Sequence, residues 1–478
     1  MKFSLGKGGE VKVVQIFKDA EQVEDAKELY AYLKENELFK GNLGEIHSQI
    51  SYTGDKVLLV GLGEKNKLQA DNLRTVYFKV GKELMKSKVK SVDINVAKFE
   101  NIDYDKTLEA IVEGLLQSEY SFEKYLSEKK TKPSVENVYL DILEEHENMA
   151  KEIIEETINL VDGIFFARDL VNEPAMYMTP GVLANTAKSQ LEELGVKVDI
   201  YNKKEIEKLG MNAFLAVAEG SVNEPKLIVM NYEGDPNSEE KLALVGKGLL
   251  FDSGGYSLKP ANSMVTMHSD MAGSASVIGA MKALAKNKIK KNVVGIVAAC
   301  ENLISGGAYK PGDIVVSMSG KSIEVLNTDA EGRLTLADAL WYATKEIKAD
   351  KIVDIATLTG ACVVALGSVN TGAITNNKEL MANVKEASKL AGEPVWELPN
   401  NEEYKELIKG KFADLSNTGG RGAGAITAGL FLEEFVDNTP WVHLDIAGTS
   451  YLGKERGYLP KGATGVPVKT LYYLAKEF

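Results

Sequence analysis

The sequence contains little cysteine and little histidine. Only two cysteines and four histidines occur in 478 residues. Two cysteines cannot form a disulfide framework, and their scarcity is typical of a protein from a reducing compartment. No CxxC and no HExxH pattern is present. Any metal site in this chain therefore has to use oxygen ligands, with lysine as an additional nitrogen ligand.

The chain also lacks a long apolar run and an excess of positive charge. No run of about 18 apolar residues occurs, so no membrane-spanning helix is expected. The start, MKFSLGKGGEVKVV, lacks the apolar core of a secretory signal. The net charge of -13 argues against a general nucleic-acid surface, which needs a basic face, although it leaves a local basic patch open. We therefore expect a cytoplasmic protein without a membrane or nucleic-acid partner.

Short apolar runs alternate with charged helical patterns in the first part of the chain. This alternation indicates an α/β domain over residues 1–145. The domain contains no clustered acids beside apolar runs, so its expected role is structural, regulatory or in assembly. The predicted strands are Val11–Phe17, Lys56–Gly63 and Val92–Phe99, and the predicted helices are Asp19–Asn36 and Asn72–Ser87.

A long helical pattern, Glu144–Leu170, separates this domain from the remainder. We predict a linker helix over residues 146–170 and a second α/β domain over residues 171–478. Continuous apolar runs in the second domain predict buried strands; they are Val293–Cys300, Lys351–Leu358 and Trp441–Gly448. The predicted fold class is α/β with two domains, each a mixed or mostly parallel sheet flanked by helices, joined by the linker helix. In such sheets ligands bind at the carboxyl ends of the strands.

The stretch Val325–Leu340, VLNTDAEGRLTLADAL, has the clearest chemical pattern. Asp329 and Glu331 are two residues apart, so on an extended segment their side chains point the same way. Gly332 permits a turn or a close approach, and Arg333 adds a cation at the start of a helical pattern. Such a segment can hold a divalent metal and an anion together. A solvated acidic turn is the alternative for this stretch taken alone.

A second stretch upstream, Leu244–Ala280, supplies further groups of the same kind. It contains Lys247, Asp252, Lys259 and Asp270 around apolar and glycine-rich segments. Four converging carboxylates would repel one another, and divalent metals remove that repulsion. Oxygen ligands suit Mg, Mn and Zn, and a neutral lysine favours Zn, Mn or Co. A phosphate site at the GKG and SGG turns is the alternative, but the P-loop pattern is not matched.

Taken together, these motifs resemble the M17 leucyl aminopeptidases, which are two-metal cytosolic exopeptidases. The resemblance covers roughly residues 165–478 and is weak over the first 145. The matching segments, in order along the chain, are VGKGLLFDSGG, SLKP, SDMAGSA, NTDAEGRLTLADAL, DIATLTGA and HLDIAGT. The resemblance implies removal of an N-terminal residue, expected to be apolar, from peptides by a water that bridges two divalent ions (Zn or Mn). It also implies a homo-hexamer.

The resemblance assigns roles residue by residue. The implied metal ligands are Lys247, Asp252, Asp270, Asp329 and Glu331. Asp252 and Glu331 would bridge both ions. The implied catalytic residues are Lys259, which would polarise the scissile carbonyl, and Arg333, which would hold a bicarbonate that shuttles protons. The implied substrate pocket is formed by Met267, Asn327, Ala330, Thr357, Gly360 and Ala447.

Two positions depart from the family pattern. His268 stands next to the site where the family usually has lysine, and Ser450 stands where well-known members have methionine. The second departure argues against a strict leucine preference.

A nucleic-acid-binding or regulatory protein is the rival class, because some bacterial members of this family also bind DNA.

Overall fold

A computed structural model describes residues 1–20, 23, 25–49, 56–128 and 134–478. These residues form two compact units. Unit 1 comprises Met1–Val161 with Glu455–Pro460, and unit 2 comprises Asp162–Lys454 with Lys461–Phe478. Among the described residues, none of the helices combines the length and the apolar content that a bilayer crossing requires. The predicted fold class, two regions of helices with sheets rich in parallel strands, is confirmed; the boundaries at 145 and 171 remain a prediction.

Unit 1 contains one six-stranded sheet in the order β1-β6-β5-β2-β4-β3. All neighbouring pairs are parallel except β3 with β4. The three predicted strands are present, each within four residues at its ends. The strands are β1 Lys2–Leu5, β2 Val11–Phe17, β3 Ile46–Gln49, β4 Val57–Gly63, β5 Ser91–Asn95 and β6 Asn137–Asp141.

The two helices predicted in unit 1 are present in the predicted order, and a further helix, Tyr104–Gln117, was not predicted. They are α1 Lys27–Glu35, α2 Ala70–Lys86, α3 Tyr104–Gln117 and the first part of α4 Glu147–Asn172. The helix predicted from Asp19 is shorter than expected, and residues 21, 22 and 24 of that prediction lie outside the described residues. The N-terminus of α2 is closed by a capping box in which the backbone N–H of Gln69 donates to Asn72 Oδ1 at 2.9 Å. Short 3-10 turns cover Lys65–Lys67 and Glu144–His146.

Unit 2 is built on an eight-stranded mixed sheet in the order β15-β14-β17-β13-β9-β10-β8-β7. Its strands, with two small accessory sheets, are β7 Lys197–Tyr201, β8 Lys226–Glu233, β9 Leu242–Asp252, β10 Asn292–Asn302, β11 Ile314–Val316, β12 Ser322–Glu324, β13 Lys351–Ala356, β14 Thr371–Thr375, β15 Val395–Glu397, β16 Leu415–Ser416, β17 Trp441–Asp445, β18 Tyr451–Leu452 and β19 Gly462–Ala463. The four central strands β17, β13, β9 and β10 are mutually parallel. Their carboxyl ends therefore meet at one edge of the sheet.

Helices cover both faces of this sheet. They are α5 Pro180–Glu192, α6 Lys203–Leu209, α7 Asn212–Ala218, α8 Ala261–Met264, α9 Ala272–Lys286, α10 Gly332–Tyr342, α11 Gly360–Leu366, α12 Lys378–Ala391, α13 Glu402–Lys405, α14 Gly424–Glu433 and α15 Val468–Glu477. Short 3-10 turns cover Met267–Ser269 and Glu406–Ile408, and a π-helical turn, Ala343–Ile347, follows α10.

The small residues at the start of α9 allow this helix to lie directly against the central strands. A Cβ at Gly246 of β9 would come within 2.6 Å of Ser274 Cα, and a Cβ at Gly273 within 2.1 Å of the Ile355 carbonyl oxygen. The sequence GSAS therefore lets the helix backbone approach the sheet. This approach brings Asp270, just before α9, to the carboxyl ends of the strands.

Candidate active site and metal centre

The first part of the site is the end of strand β9 and the turn after it. Lys247 lies inside the strand and is buried, and Asp252 is its last residue and is also buried. Gly254 and Gly255 then turn the chain with φ of +85° and +59°, which non-glycine residues rarely adopt. A Cβ at Gly254 would also lie 2.7 Å from Asp329 Oδ1. The SGG turn is therefore required for the close approach of the two acidic segments.

The acidic side chains predicted from the two stretches lie together. One oxygen each from Asp252, Asp329 and Glu331 can be chosen so that all three lie within 4.8 Å of one another. Asp270 joins this group through Lys247, whose Nζ lies 2.9 Å from both the Asp270 and the Glu331 carboxylates. We call Lys247, Asp252, Asp270, Asp329 and Glu331 the acidic cluster. Three separate segments of unit 2 thus meet at the carboxyl edge of the sheet.

Lys259 lies at the open side of the acidic cluster. Its Nζ is 2.7 Å from Asp252 Oδ2 and 2.6 Å from Asp329 Oδ1. Burial opposes the charged form of both lysines, but the surrounding carboxylates outweigh burial and raise the pKa of Lys247 and of Lys259. A buried lysine can be accommodated either by losing its proton or by pairing with acids. In this structure both lysines pair with acids.

The pKa values of two carboxyl groups in the acidic cluster are raised, as expected for buried acids that lie close together. Burial, followed by repulsion from Asp252, raises the pKa of Glu331 to about 8. Burial also raises the pKa of Asp270 to about 6, although Lys247 lowers it. Four carboxylates face only two lysines, so a net negative charge remains in a buried place. A cation would relieve this repulsion.

The donor set fits a divalent cation. Glu331 Oε2 is buried and has no hydrogen-bond partner within the described part of the chain. Buried carboxylate oxygens in native structures are normally satisfied, so this atom is available to a ligand. Carboxylate oxygens with one lysine nitrogen are ligands that Mg, Mn and Zn accept. The residues therefore suit a metal centre.

Arg333 lies beside this cluster, in the first turn of helix α10. It is buried, and its Nε has no hydrogen-bond partner among the residues that the structure describes. Burial lowers the pKa of its guanidinium to about 10, while Glu331 and Asp445 raise it. A buried cation with an unused donor suits a small anion. Arg333 does not line the cavity described next.

A cavity of about 410 Å³ opens onto the acidic cluster. Four of the six predicted substrate residues line it: Met267, Thr357, Gly360 and Ala447. The other two, Asn327 and Ala330, lie in the loop before α10 and are not among its lining residues. Two larger cavities, about 710 Å³ in unit 1 and about 670 Å³ in unit 2, are lined by acids that are exposed or half-exposed. Buried charge, and not size, distinguishes the site.

Several polar side chains that hold the site together were not predicted from the sequence. Asn417 is buried; its Oδ1 accepts the N–H of Leu326 at 2.9 Å, and its Nδ2 donates to the Asn327 carbonyl at 2.6 Å. Thr359 Oγ1 donates to Asp445 Oδ2 at 2.7 Å. Thr357, which was predicted as a substrate residue, also has a supporting contact, because its Oγ1 donates to Asp270 Oδ1 at 2.7 Å. The only signal for these residues is that each follows a strand: Thr359 comes after β13 of the main sheet, and Asn417 comes after β16 of an accessory sheet. Polar residues after strands are too common for that signal to select them.

The comparison with known proteins agrees with this geometry. Residues 165–472 match the catalytic domain of the cytosol aminopeptidase family, and residues 13–129 match its N-terminal domain. The chain belongs to the cytosol aminopeptidase family. It is therefore an enzyme, a peptidase that removes N-terminal residues from peptides, and this family depends on metal. The predicted family membership and enzyme class are confirmed.

Relatives and solved structures extend the similarity over the whole chain. A probable cytosol aminopeptidase of Clostridium tetani is 69% identical over 100% of this chain and 99% of its own. A probable cytosol aminopeptidase of Treponema denticola is 49% identical over 100% of both chains. A mutant of tomato leucine aminopeptidase has a TM-score of 0.87 at 34% identity, covering 100% of this chain and 96% of its own. The bottromycin maturation enzyme BotP in complex with Mn has a TM-score of 0.89 at 29% identity, covering 98% and 99%.

Proposed function

We propose that this cytosol aminopeptidase is a two-metal enzyme that releases N-terminal residues, preferentially apolar ones, from peptides. The observation that carries the proposal is the convergence of Asp252, Asp329 and Glu331 within 4.8 Å in a buried place. Two divalent ions, Zn or Mn, would supply Lewis-acid activation of a water and of the scissile carbonyl. Every other role that we propose for the site belongs to a side chain of the protein itself.

The five residues of the acidic cluster would hold the ions. Asp252 and Glu331 would be shared by both ions, as the family resemblance implies. Lys247 and Asp270 would complete one position, and Asp329 the other. Lys247 has to give up a proton for this role, and the added cations would favour that loss because they replace its charge next to Asp270 and Glu331.

Lys259 would orient and polarise the substrate carbonyl. Its Nζ lies at the cavity, beside Asp252 and Asp329, and its raised pKa keeps it protonated at neutral pH. A fixed ammonium group stabilises negative charge as it develops on the carbonyl oxygen. We assign Lys259 this catalytic role.

Arg333 would hold a small anion, and the resemblance favours bicarbonate. Its buried guanidinium with an unpartnered Nε supports anion binding. Arg333 would hold this anion in place beside Glu331, and a bicarbonate there would supply a group that can accept and donate protons. Asn327 and Ala330, in the preceding loop, would contact the substrate only after a change in this loop or through their backbone.

The cavity walls support the preference for an apolar first residue. Met267, Leu358, Gly360, Val363 and Ala447 contribute apolar surface beside the acidic cluster. An apolar side chain that enters this space loses contact with water, which is favourable by about 25 cal/mol per Å². A charged first residue would have to be desolvated without an opposite charge dedicated to it.

We further propose that residues 171–478 form the catalytic domain and residues 1–145 a domain for assembly or regulation. A homo-hexamer and a cytoplasmic location are proposed on the family resemblance.

The test is a metal-titrated activity assay with metal analysis. The purified protein, freed of metal and then given Mn²⁺ or Zn²⁺, is expected to hydrolyse leucyl-p-nitroanilide and apolar dipeptides, with two ions per chain. Asp329→Ala and Glu331→Ala are expected to lose metal binding and activity. Stoichiometric binding of one ion by an active enzyme, or equal rates on aspartyl and leucyl substrates, would contradict the proposal.

A further inference from the structure

Asn302, the last residue of strand β10, lies directly beside Asp252. The parallel pairing of β10 with β9 is regular up to Cys300 opposite Leu249 and then shifts, so that Asn302 faces Asp252. Strand β9 therefore contains one extra residue at this point, which is a β-bulge. Bulges occur next to active sites, where they redirect a side chain. Here the bulge brings a fully buried amide against an acid of the cluster.

The side-chain amide of Asn302 connects two segments that carry acids of the cluster. Its Nδ2 donates to Asp252 Oδ1 at 2.8 Å and to the Thr328 carbonyl at 3.0 Å. Thr328 immediately precedes Asp329. Both N–H groups of one rigid, planar amide are thus used, one on each segment. The separation of Asp252 from the loop of Asp329 is set by the size of this amide.

The backbone of Asn302 reinforces the same connection. Its carbonyl accepts the N–H of Ser253 at 3.0 Å and the Ser253 hydroxyl at 2.8 Å. The Thr328 carbonyl, which accepts from Asn302 Nδ2, also accepts from the hydroxyl of Tyr309 at 2.8 Å. The turn after β9 and the loop before α10 therefore form one hydrogen-bonded unit around Asn302.

The contacts of Asp252 divide its two oxygens between different tasks. Oδ1 accepts from Asn302 Nδ2 and from the Gly254 N–H, each at 2.8 Å. Oδ2 faces the cluster and lies 2.7 Å from Lys259 Nζ. Asn302 thus fixes the rotation of the carboxylate about its Cβ–Cγ bond and presents one defined oxygen to the cluster. A neutral amide does this without adding a fifth negative charge.

We propose that Asn302 is a positioning residue for the metal centre. It acts through Asp252, whose orientation and distance from Asp329 and Glu331 it sets, and it does not line the substrate cavity. The inference rests on the proposed two-metal function. Partners that orient metal ligands in this way contribute about 10- to 100-fold in metal affinity.

The test compares Asn302→Leu with a matched variant at the other end of the same strand. Leucine keeps the branched shape and the number of heavy atoms of the asparagine side chain, is bulkier, and removes both N–H donors. Asn292, the first residue of β10, is also buried, and its Nδ2 donates to the carbonyls of Asp235 at 2.9 Å and Ser238 at 2.7 Å. Asn292→Leu therefore removes the same two donors away from the site, together with the acceptor of the Asp235 N–H. Asn302→Ser, which keeps one donor, serves if the leucine variant does not fold.

The first readout is binding of Mn²⁺ alone to the metal-free full chain, by calorimetry, together with the rise in Tm that Mn²⁺ causes. For Asn302→Leu we expect a 10- to 100-fold higher Kd for Mn²⁺ and a smaller rise in Tm. For Asn302→Ser we expect an intermediate Kd. Asn292→Leu is expected to lower Tm with and without Mn²⁺ equally and to keep the wild-type Kd.

The second readout is kinetic. At saturating Mn²⁺, Asn302→Leu is expected to lower kcat for a leucyl substrate and to change KM less than twofold, because the residue does not line the substrate cavity. The inference about Asn302 is overturned if the wild-type enzyme is active and a folded Asn302→Leu or Asn302→Ser variant binds Mn²⁺ with a Kd within twofold of wild type. That result leaves the proposed function in place. Failure of the wild-type chain itself to bind Mn²⁺ and to hydrolyse leucyl substrates overturns the proposed function and this inference with it.

Discussion

Nζ of Lys247 lies 2.9 Å from Oε1 of Glu331, and this ion pair joins the middle of strand β9 to the start of helix α10. The contact depends on the residue that follows Glu331. A Cβ at Gly332 would come within 2.5 Å of Lys247 Cε and 2.6 Å of its Nζ. The glycine of the DAEGR segment therefore provides the space that the lysine occupies.

We predict that Gly332→Ala moves Lys247 away from Glu331 and Asp270 and lowers the affinity for Mn²⁺ by at least about tenfold. Calorimetric titration of the metal-free protein measures this. Gly181→Ala is the matched control, because Gly181 also lies in the first turn of a helix and a Cβ there meets nothing within 4 Å. Equal Mn²⁺ affinity of the two variants would show that the space beside Lys247 is not critical.

Lys259→Met is predicted to separate metal binding from turnover. Methionine keeps an unbranched side chain that is only one atom shorter, and it removes the charged group. We expect kcat to fall about 10²- to 10³-fold while two ions remain bound, because the lost group stabilises charge only as the reaction proceeds. Stopped assays combined with elemental analysis of the same sample test this. Lys409→Met, at an exposed position, should retain full activity.

Asp338 is predicted to make the stability of the protein depend on pH. It is fully buried on α10 and accepts the N–H groups of Phe214 at 2.9 Å and Met318 at 2.7 Å. Burial raises its pKa to about 7, although these N–H groups lower it. Between about pH 4 and 7 the folded state therefore binds more protons than the unfolded state, so the free energy of unfolding falls as the pH rises through this window.

The variant Asp338→Asn removes this titration. We expect the stability of the wild type relative to this variant to fall by about 2–4 kcal/mol between pH 4 and 8, with most of the change below pH 7. Urea unfolding followed by far-ultraviolet circular dichroism at several pH values measures the difference. A difference that stays constant over this range would mean that Asp338 is ionised throughout.

The buried row Trp441–Asp354–His443 is predicted to stabilise the central sheet. Asp354 accepts from Trp441 Nε1 through one oxygen and contacts His443 Nδ1 through the other, each at 2.7 Å. Asp354→Ala leaves a buried indole N–H and a buried imidazole without their partner, which costs about 3–5 kcal/mol. Urea unfolding monitored by tryptophan fluorescence tests this. Asp354→Asn retains an acceptor for the indole N–H and should therefore lower the free energy of unfolding by less than Asp354→Ala does.

Local patterns in the sequence were sufficient for several central strands and for the long helices α2 and α4, but helices such as α3 and α12 were not predicted. Apolar runs such as Val11–Phe17 and Trp441–Asp445 are strands because their side chains are buried on a sheet. The helix predicted from Asp19 begins only at Lys27 in the described residues, and its N-cap residue, Ala26, provides no side-chain hydrogen bond. Periodicity locates helices better than it locates their ends.

The types and order of the site residues were readable from the sequence because chemistry restricts them to few choices. Two acids separated by one residue, a lysine inside an apolar strand and a glycine turn, in family order, predicted the residues that meet in the acidic cluster. The supporting amides and hydroxyls, such as Asn302, Asn417 and Thr359, were not readable. Their importance lies in which acceptor each one reaches, and that depends on the distance between segments far apart in the chain.

The sequence by itself therefore determined the family, the α/β class and the set of candidate metal and catalytic residues, because these depend on residue type and local order. Only the tertiary structure decided that Asp252, Asp329 and Glu331 lie within 4.8 Å, that Asn327, Ala330 and Arg333 do not line the cavity, and that a β-bulge brings Asn302 against Asp252. Those facts follow from the register of parallel strands and from close packing of α9 on the sheet. Both are set by contacts between distant segments, which no local pattern in the chain encodes.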